Sequence, residues 1–233
     1  MKIAIIQFGG TNCDLDVLHI LRDVLCLDAE TVWYKQEDLI GFDGVVVPGG
    51  FSYGDYLRAG AIAARTPIMD SVKKLAAEGK PVLGICNGFQ VLTEARLLEG
   101  ALTTNEYPKF RCQWTNLRVE TPDTPFTSRF RKGELIRMPI AHMEGKFYAE
   151  EKTLAELDES NQVVFRYVDE HGKVTDEANP NGSLENIAGI VNNTSRNILG
   201  LMPHPERASE SILGSDDGLR VFESMADYIT ENF

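Results

Sequence analysis

The sequence predicts an α/β protein with a mostly parallel central sheet flanked by helices. Three observations carry that expectation. Short apolar runs alternate with longer amphipathic stretches through the first two thirds of the chain. Several of those runs stop at turns rich in glycine and proline. A 43% hydrophobic fraction also supplies enough apolar material for a sheet covered on both faces. No internal repeat, low-complexity tract or linker interrupts the 233 residues, so one domain over 1–233 is the expected organisation.

Taken in order, KIAIIQF is the first strand candidate and GGTNCD the turn after it. From Asp14 to Cys26 the residues Leu15, Leu18, Leu21, Val24 and Leu25 recur at helical spacing. TVWY and GVVVPGG are the next strands, the latter stopped by Pro48-Gly49-Gly50. Helices are expected over Tyr56 to Arg65 and Met69 to Glu78, with Gly79-Lys80-Pro81 as the stop. VLGI is a further strand, and Gly88 to Arg96 the helix behind it. From about residue 101 to 200 the pattern turns strand-rich, with TNLRVE, ELIRMPIAH, QVVFRYV, IAGIVN and ILGLM separated by turns such as His171-Gly172 and Asn181-Gly182. Asp216 to Ile229 makes a closing helix, its first carboxylates suited to the helix dipole. Glu150-Glu151 and Glu156 to Glu159 read as a solvated helix face.

The net charge of −12 argues against a nucleic-acid backbone or an anionic membrane as partner, because both repel such a surface. Cys13, Cys26, Cys86 and Cys112 form no CxxC pair, so no bound metal is expected; their wide spacing fits reduced thiols in the cytoplasm. The apolar run at the N-terminus is too short for a secretory signal, and none approaches the roughly 20 residues that span a bilayer.

In sheets of this kind ligands bind beyond the carboxyl ends of the strands. Two such ends stand out, PGGFSYGD after the third strand and CNG after the fourth. Gly84-Ile85-Cys86-Asn87-Gly88 has the G-x-nucleophile-x-G form of a nucleophile elbow, with cysteine in place of serine. Its glycines leave room for a tight strand-to-helix turn, and the positive end of the helix stabilises a thiolate there. The Asn87 amide points the same way and suits an oxyanion. A packed cysteine at an ordinary turn has the same local sequence, so the function depends on a partner base.

Of four histidines, His19 falls within a helix pattern and His171 in a polar turn, which leaves His142 in PIAHMEGKF and His204 in LMPHPERAS, the latter with the stronger local argument. His204 lies between Pro203 and Pro205, which hold MPHPE extended so that Glu206 falls on the same side. A glutamate on Nδ1 leaves Nε2 free toward a thiol, the logic of a Cys–His–Glu relay. Cys112 reads as a packed residue, while Arg111 and Trp114 are left without an assigned role.

PGG after an early strand, GICNGFQ and a late PHPE together resemble the class I triad glutamine amidotransferases. IAIIQFGGTNCD, VVVPGGFSYGDYLRAGAIAA, GICNGFQVL, PIAH and LGLMPHPERA narrow the resemblance to the glutaminase-subunit family of phosphoribosylformylglycinamidine synthases. The resemblance implies a flavodoxin-like arrangement in which Cys86 attacks the side-chain amide of L-glutamine. His204 then passes a proton to the departing ammonia, Glu206 orients His204, and water releases glutamate from a γ-glutamyl thioester. It places Gly50, Phe51, Asn87 and Gln90 around the substrate, with backbone amides near Gly50 and Asn87 facing the oxyanion. It also implies a large synthetase subunit that uses the ammonia to convert formylglycinamide ribonucleotide to the amidine, with a small bridging subunit. ATP and Mg²⁺ would bind on that partner, since no phosphate-loop signature occurs here. Where the family usually reads Gly-Glu-Gly after PIAH, this chain has Met143-Glu144-Gly145. Three other readings share part of the pattern: a glutaminase for another amidation, a cysteine-elbow redox or stress protein, and a catalytically inactive scaffold subunit.

Overall fold

The computed structural model describes residues 1–36 and 38–233. Eleven strands, β1 Lys2–Gln7, β2 Asp28–Trp33, β3 Gly44–Val47, β4 Val82–Ile85, β5 Ala101–Thr103, β6 Arg111–Val119, β7 Leu135–His142, β8 Lys146–Tyr148, β9 Val163–Val168, β10 Ile187–Val191 and β11 Ile198–Leu201, are joined by five α-helices. The helices are α1 Asp14–Leu18, α2 Ile68–Ala77, α3 Asn87–Glu94, α4 Glu151–Glu159 and α5 Leu219–Asn232.

Nine strands form one sheet in the order β2-β1-β3-β4-β11-β10-β9-β6-β7. From β2 to β11 every pairing is parallel, and beyond β11 every pairing is antiparallel. Only β10 and β6 run against the rest, so the expected, mostly parallel sheet is what forms. Its central strands β3, β4, β10 and β11 are buried along their whole length, as apolar runs without alternation require.

Register sorts the helices onto the two faces. Gly84 of β4 and Gly200 of β11 are partners on one face, and side chains added there would strike Leu92 and Phe89 of α3. A side chain on Gly44 of β3 would meet Met225 and Ile229 of α5 on the opposite face. Residues 197 and 198 tie the two halves: Asn197, fully buried, donates 2.8 Å bonds to Ala76 O and Lys80 O at the end of α2, just before β11 begins.

Four expectations change. The first helix is regular only over Asp14–Leu18 and continues over His19–Val24 as a π-helix, where Leu25 N bonds to Ile20 O at 2.9 Å. The buried stripe there is Val17, Ile20 and Leu21, each contributing about 2 kcal/mol by burial, while Leu15 is exposed. The helix expected over 56–65 reduces to a 3₁₀ turn at Ala63–Arg65, because Asp55 and Leu57 take positive φ and Gly60 lies against the backbone of Gln90 and Val91. The last helix begins at Leu219, Asp217 instead pairing with Arg220 at 3.0 Å and accepting from Arg137 N at 2.8 Å. Cys112, expected to pack, is exposed on β6 beside Ala141 of β7. The pair β5 and β8, which forms a separate two-stranded sheet, had no counterpart in the sequence pattern. Among the described residues no helix is long and apolar enough to cross a membrane.

Candidate active site

The ends of β4 and β11 lie side by side, and the two sequence-distant motifs continue from them. Cys86 follows β4 with φ 51° and ψ −107°, then α3 starts at Asn87. This strained geometry, in a region that costs about 1–3 kcal/mol for a side-chain-bearing residue, is over-determined by its neighbours. Cys86 N donates to Leu201 O at 2.8 Å. Gly88 permits the rest: a side chain there would fall on Val47 O of β3, so only glycine lets α3 begin this close to the sheet. Cys86 is 5% exposed, and its sulfur lies 3.8 Å from Ala141 O of β7.

His204 follows β11 in extended backbone, its N–H held by Pro139 O at 2.8 Å. Pro205–Arg207 is a 3₁₀ turn rather than the expected extended segment, and that turn swings Glu206 under the imidazole. His204 Nδ1 and Glu206 Oε1 are 2.6 Å apart, both residues 2% exposed. The carboxylate holds a proton on Nδ1, and Nε2 is left without a partner. Burial acts to lower the His204 pKa, but Glu206 and then Cys86 outweigh it and hold it well above the ordinary histidine value. Cys86 and the His204–Glu206 pair thus face one space at the ends of β4 and β11. A methyl placed on Gly49 would lie 2.9 Å from His204 Cε1 and 3.5 Å from Cys86 Cβ, so this glycine keeps the space between base and thiol clear.

The loop carrying Gly50 and Phe51 is stitched to residues 9–13. Asn12 N and Cys13 N donate to Gly49 O at 3.1 Å, Phe51 N to Gly10 O at 2.9 Å and Tyr53 N to Gly9 O at 2.7 Å. None of these bonds uses the Gly50 amide, and helix geometry leaves Asn87 N–H without an intrahelical acceptor. Gly50, with φ 147°, packs against Thr11 and Asn12, which excludes a side chain. Phe51 is exposed, with Phe110 6.4 Å away, centroid to centroid. The side chains of Asn87 and Gln90 face inward. Asn87 Oδ1 accepts from Ser52 N at 3.1 Å and its Nδ2 donates to Gln90 Oε1 at 2.8 Å, while Gln90 Nε2 donates to Glu144 O. The Gln90 amide, expected at the substrate, is engaged here with Asn87 and the backbone of Glu144. Asp55, which Asn87 Nδ2 approaches at 3.4 Å, is pushed up to about 6 by burial and by Glu144.

Sequence reasoning read Cys13 only as a reduced thiol and left the role of His142 open. Cys13, buried, has its sulfur 4.0 Å from His204 Nδ1 and accepts from Arg207 Nη2 at 3.1 Å. Its signal was only the position of NCD just after the first strand. His142 is buried at the end of β7, with Nε2 accepting from Asn181 Nδ2 at 3.0 Å and Gly145 closed against its ring. Burial, with His204 nearby, pushes it down to about 3, so it is a neutral fixture of the wall and not a base. Met143 is exposed and Glu144 accepts from Ala59 N, so the departure at 143 sits on the rim. His19 is exposed between Asp23 and Glu210, and His171 is exposed beside Glu170. Trp114 lies behind the site, stacked 4.8 Å from Arg137 and lining, with Glu206 and Arg207, a rear cavity of about 470 Å³.

Cys13, His204 and Glu206 offer ligand atoms within 4.8 Å of one another. The 2.6 Å Nδ1–Oε1 contact is a hydrogen-bond distance, however, shorter than the separation of two ligands on a tetrahedral ion with bonds of about 2.0–2.3 Å. The donor set fits a thiol, a base and an orienting carboxylate: nucleophilic attack on a carbonyl carbon with proton transfer to the leaving group.

Comparison with known proteins agrees. The CobB/CobQ-like glutamine amidotransferase domain matches residues 1–229. The chain is 91% identical, over the full length of both, to the phosphoribosylformylglycinamidine synthase subunit PurQ of Methanosarcina barkeri. It is 57% identical to that of Methanocaldococcus jannaschii, over 98% of each chain. A chain in the structure of PurLQS from Thermotoga maritima is similar with a TM-score of 0.86 and 43% identity over 98% of each. A putative GMP synthase subunit from Thermoplasma acidophilum, 17% identical with a TM-score of 0.56 over 99% of this chain and 95% of that one, shares the fold. This chain belongs to the glutamine amidotransferase family, in its CobB/CobQ-like branch.

Proposed function

We propose that this protein is the glutaminase subunit of a phosphoribosylformylglycinamidine synthase, acting in the cytoplasm in purine biosynthesis. The observation that carries the reading is the buried His204–Glu206 pair, with Nε2 left open on the side of Cys86 at a strained elbow. Cys86 sulfur attacks the side-chain carbonyl carbon of L-glutamine, and the amides of Gly50 and Asn87 meet the oxygen as it gains charge. His204 Nε2, protonated under the influence of Glu206, delivers its proton to the departing nitrogen, and ammonia leaves. Water, deprotonated by the same nitrogen, then cleaves the γ-glutamyl thioester to glutamate and restores the thiol. Ammonia passes to a large synthetase subunit, joined by a small bridging subunit, where ATP and Mg²⁺ would bind. Full-length identity to subunits of that name supports this acceptor over another amidation. One sheet that draws strands from residues 2 to 201 supports a single domain.

The test is trapping with 6-diazo-5-oxo-norleucine followed by peptide mass mapping. The expected result is a single adduct on Cys86 that excess glutamine prevents. An absence of adduct, even with the synthetase present, overturns the reading.

A further inference from the structure

We propose that Cys13 and Cys86 form a reversible disulfide under peroxide-class oxidants, a modification that switches the site off and shields Cys86 from irreversible oxidation. The inference rests on the reading of Cys86 as the reactive thiol. Two sulfurs attend one histidine here. The Cys13 sulfur is 4.0 Å from His204 Nδ1, on the side away from the open Nε2. Both cysteines flank Gly49: a methyl at that position would touch the Cys13 sulfur at 3.1 Å and Cys86 Cβ at 3.5 Å. The Cys13 sulfur therefore lies within about 7 Å of Cys86 Cβ, across a space bordered by Gly49 and by the edge of the His204 ring. A disulfide brings the two Cβ atoms to about 3.5–4.5 Å, so the link forms as both cysteines draw together past the Cε1 edge of His204, through the space that Gly49 leaves free of a side chain. Cys26 and Cys112 are exposed, whereas these two thiols are buried together.

The chemistry balances with hydrogen peroxide as the oxidant. Cys86 thiolate attacks one peroxide oxygen, the O–O bond breaks, and the departing hydroxide takes the proton of the His204 imidazolium to become water. Cys86 is then a sulfenic acid. The Cys13 sulfur attacks the Cys86 sulfur, the S–O bond breaks, and the Cys13 proton leaves with the hydroxide as a second water. Two thiols and one peroxide become one disulfide and two waters. Burial keeps Cys13 protonated at rest, and Arg207 Nη2, 3.1 Å from its sulfur, favours the negative charge that develops as it attacks. A disulfide at this place removes the nucleophile and fills the space Gly49 keeps clear, and reduction restores both.

The experiment uses the full chain with Cys26→Ser and Cys112→Ser, so that only the buried pair remains. Intact mass, non-reducing peptide mapping and labelling with 6-diazo-5-oxo-norleucine are read before peroxide, after it, and after dithiothreitol. The expected result is a mass loss of about 2 Da, a linked Cys13–Cys86 peptide, and labelling that is lost and then recovered. Adding Cys13→Ser gives gains of about 16 and 32 Da on Cys86 and labelling that dithiothreitol does not restore fully. Oxygen adducts without linkage while Cys13 is intact overturn the disulfide but leave the nucleophile reading standing. Absence of label before any oxidation overturns both.

Discussion

Replacing Glu206 with glutamine keeps the shape of the group under His204 and removes its charge. Burial then lowers the His204 pKa without the main influence that now raises it. In the wild type the folded value lies above the unfolded one, so this histidine contributes stability that is present at low pH and is lost as pH rises through the folded value. Glu206→Gln is expected to move His204 titration to lower pH, seen in the ¹⁵N spectrum of the imidazole, and to reduce glutamine turnover on the order of 10³-fold. Unchanged titration would show that Glu206 does not control this base. Asp55 has the opposite kind of lesson. Its carboxyl is raised to about 6 when folded, so its ionisation destabilises the native state as pH rises from about 4 through 6. Asp55→Asn is expected to stabilise the protein at pH 7 by about 1 kcal/mol, discounted for partial exposure, and to flatten urea-derived stability between pH 4 and 7. His142, pushed down to about 3, is expected to remain neutral from pH 5 to 8, and Cys86 labelling is expected to follow His204 and not His142 across that range.

At the scale of elements, the elbow depends on how closely α3 approaches β3. Gly88→Ala would set a methyl on Val47 O, and because the obstacle is backbone in a fully buried strand it cannot move aside. A loss of more than about 3 kcal/mol is expected by urea denaturation, against less than 1 kcal/mol for an alanine at Gly41, where nothing lies within 4 Å but a positive φ adds some strain. The same elements mark what could be read from sequence. β3, β4 and β11 were legible because continuous apolar runs such as GVVV and ILGL suit only strands buried on both faces, and α2 and α5 because their apolar residues recur at helical spacing. The loop over 52–58 was not legible. Tyr53, Asp55 and Leu57 all take positive φ there, and the loop is entered through bonds from Phe51 N to Gly10 O and from Tyr53 N to Gly9 O, in a distant part of the chain. Of the candidate site, the nearness of Cys86 to the His204–Glu206 pair was legible, because residue chemistry alone suggested it. The bonds of the Gln90 amide to Asn87 and Glu144 were not legible, because those partners come together only in three dimensions.

The whole molecule has a one-sided character: the strand ends that carry the site are ringed by the exposed side chains of Phe51, Phe110 and Met143, on a chain of net charge −12. As a glutaminase serving a synthetase, it is expected to hydrolyse glutamine at least about tenfold faster with that partner and its nucleotide substrates than alone, by coupled glutamate assay. Equal rates would sink the idea of a regulated subunit.

The place of β11 in the sheet reaches back to how the protein is made. It lies between β4, which is complete early in the chain, and β10, and it carries His204 on its end. On the ribosome Cys86 emerges long before this strand, and without β11 its own amide lacks the Leu201 carbonyl and no base stands beside it. On the proposed mechanism, a chain truncated before β11 is expected to keep the Cys86 thiol yet turn over no glutamine in a glutamate-release assay, so activity would arrive only with the last strand.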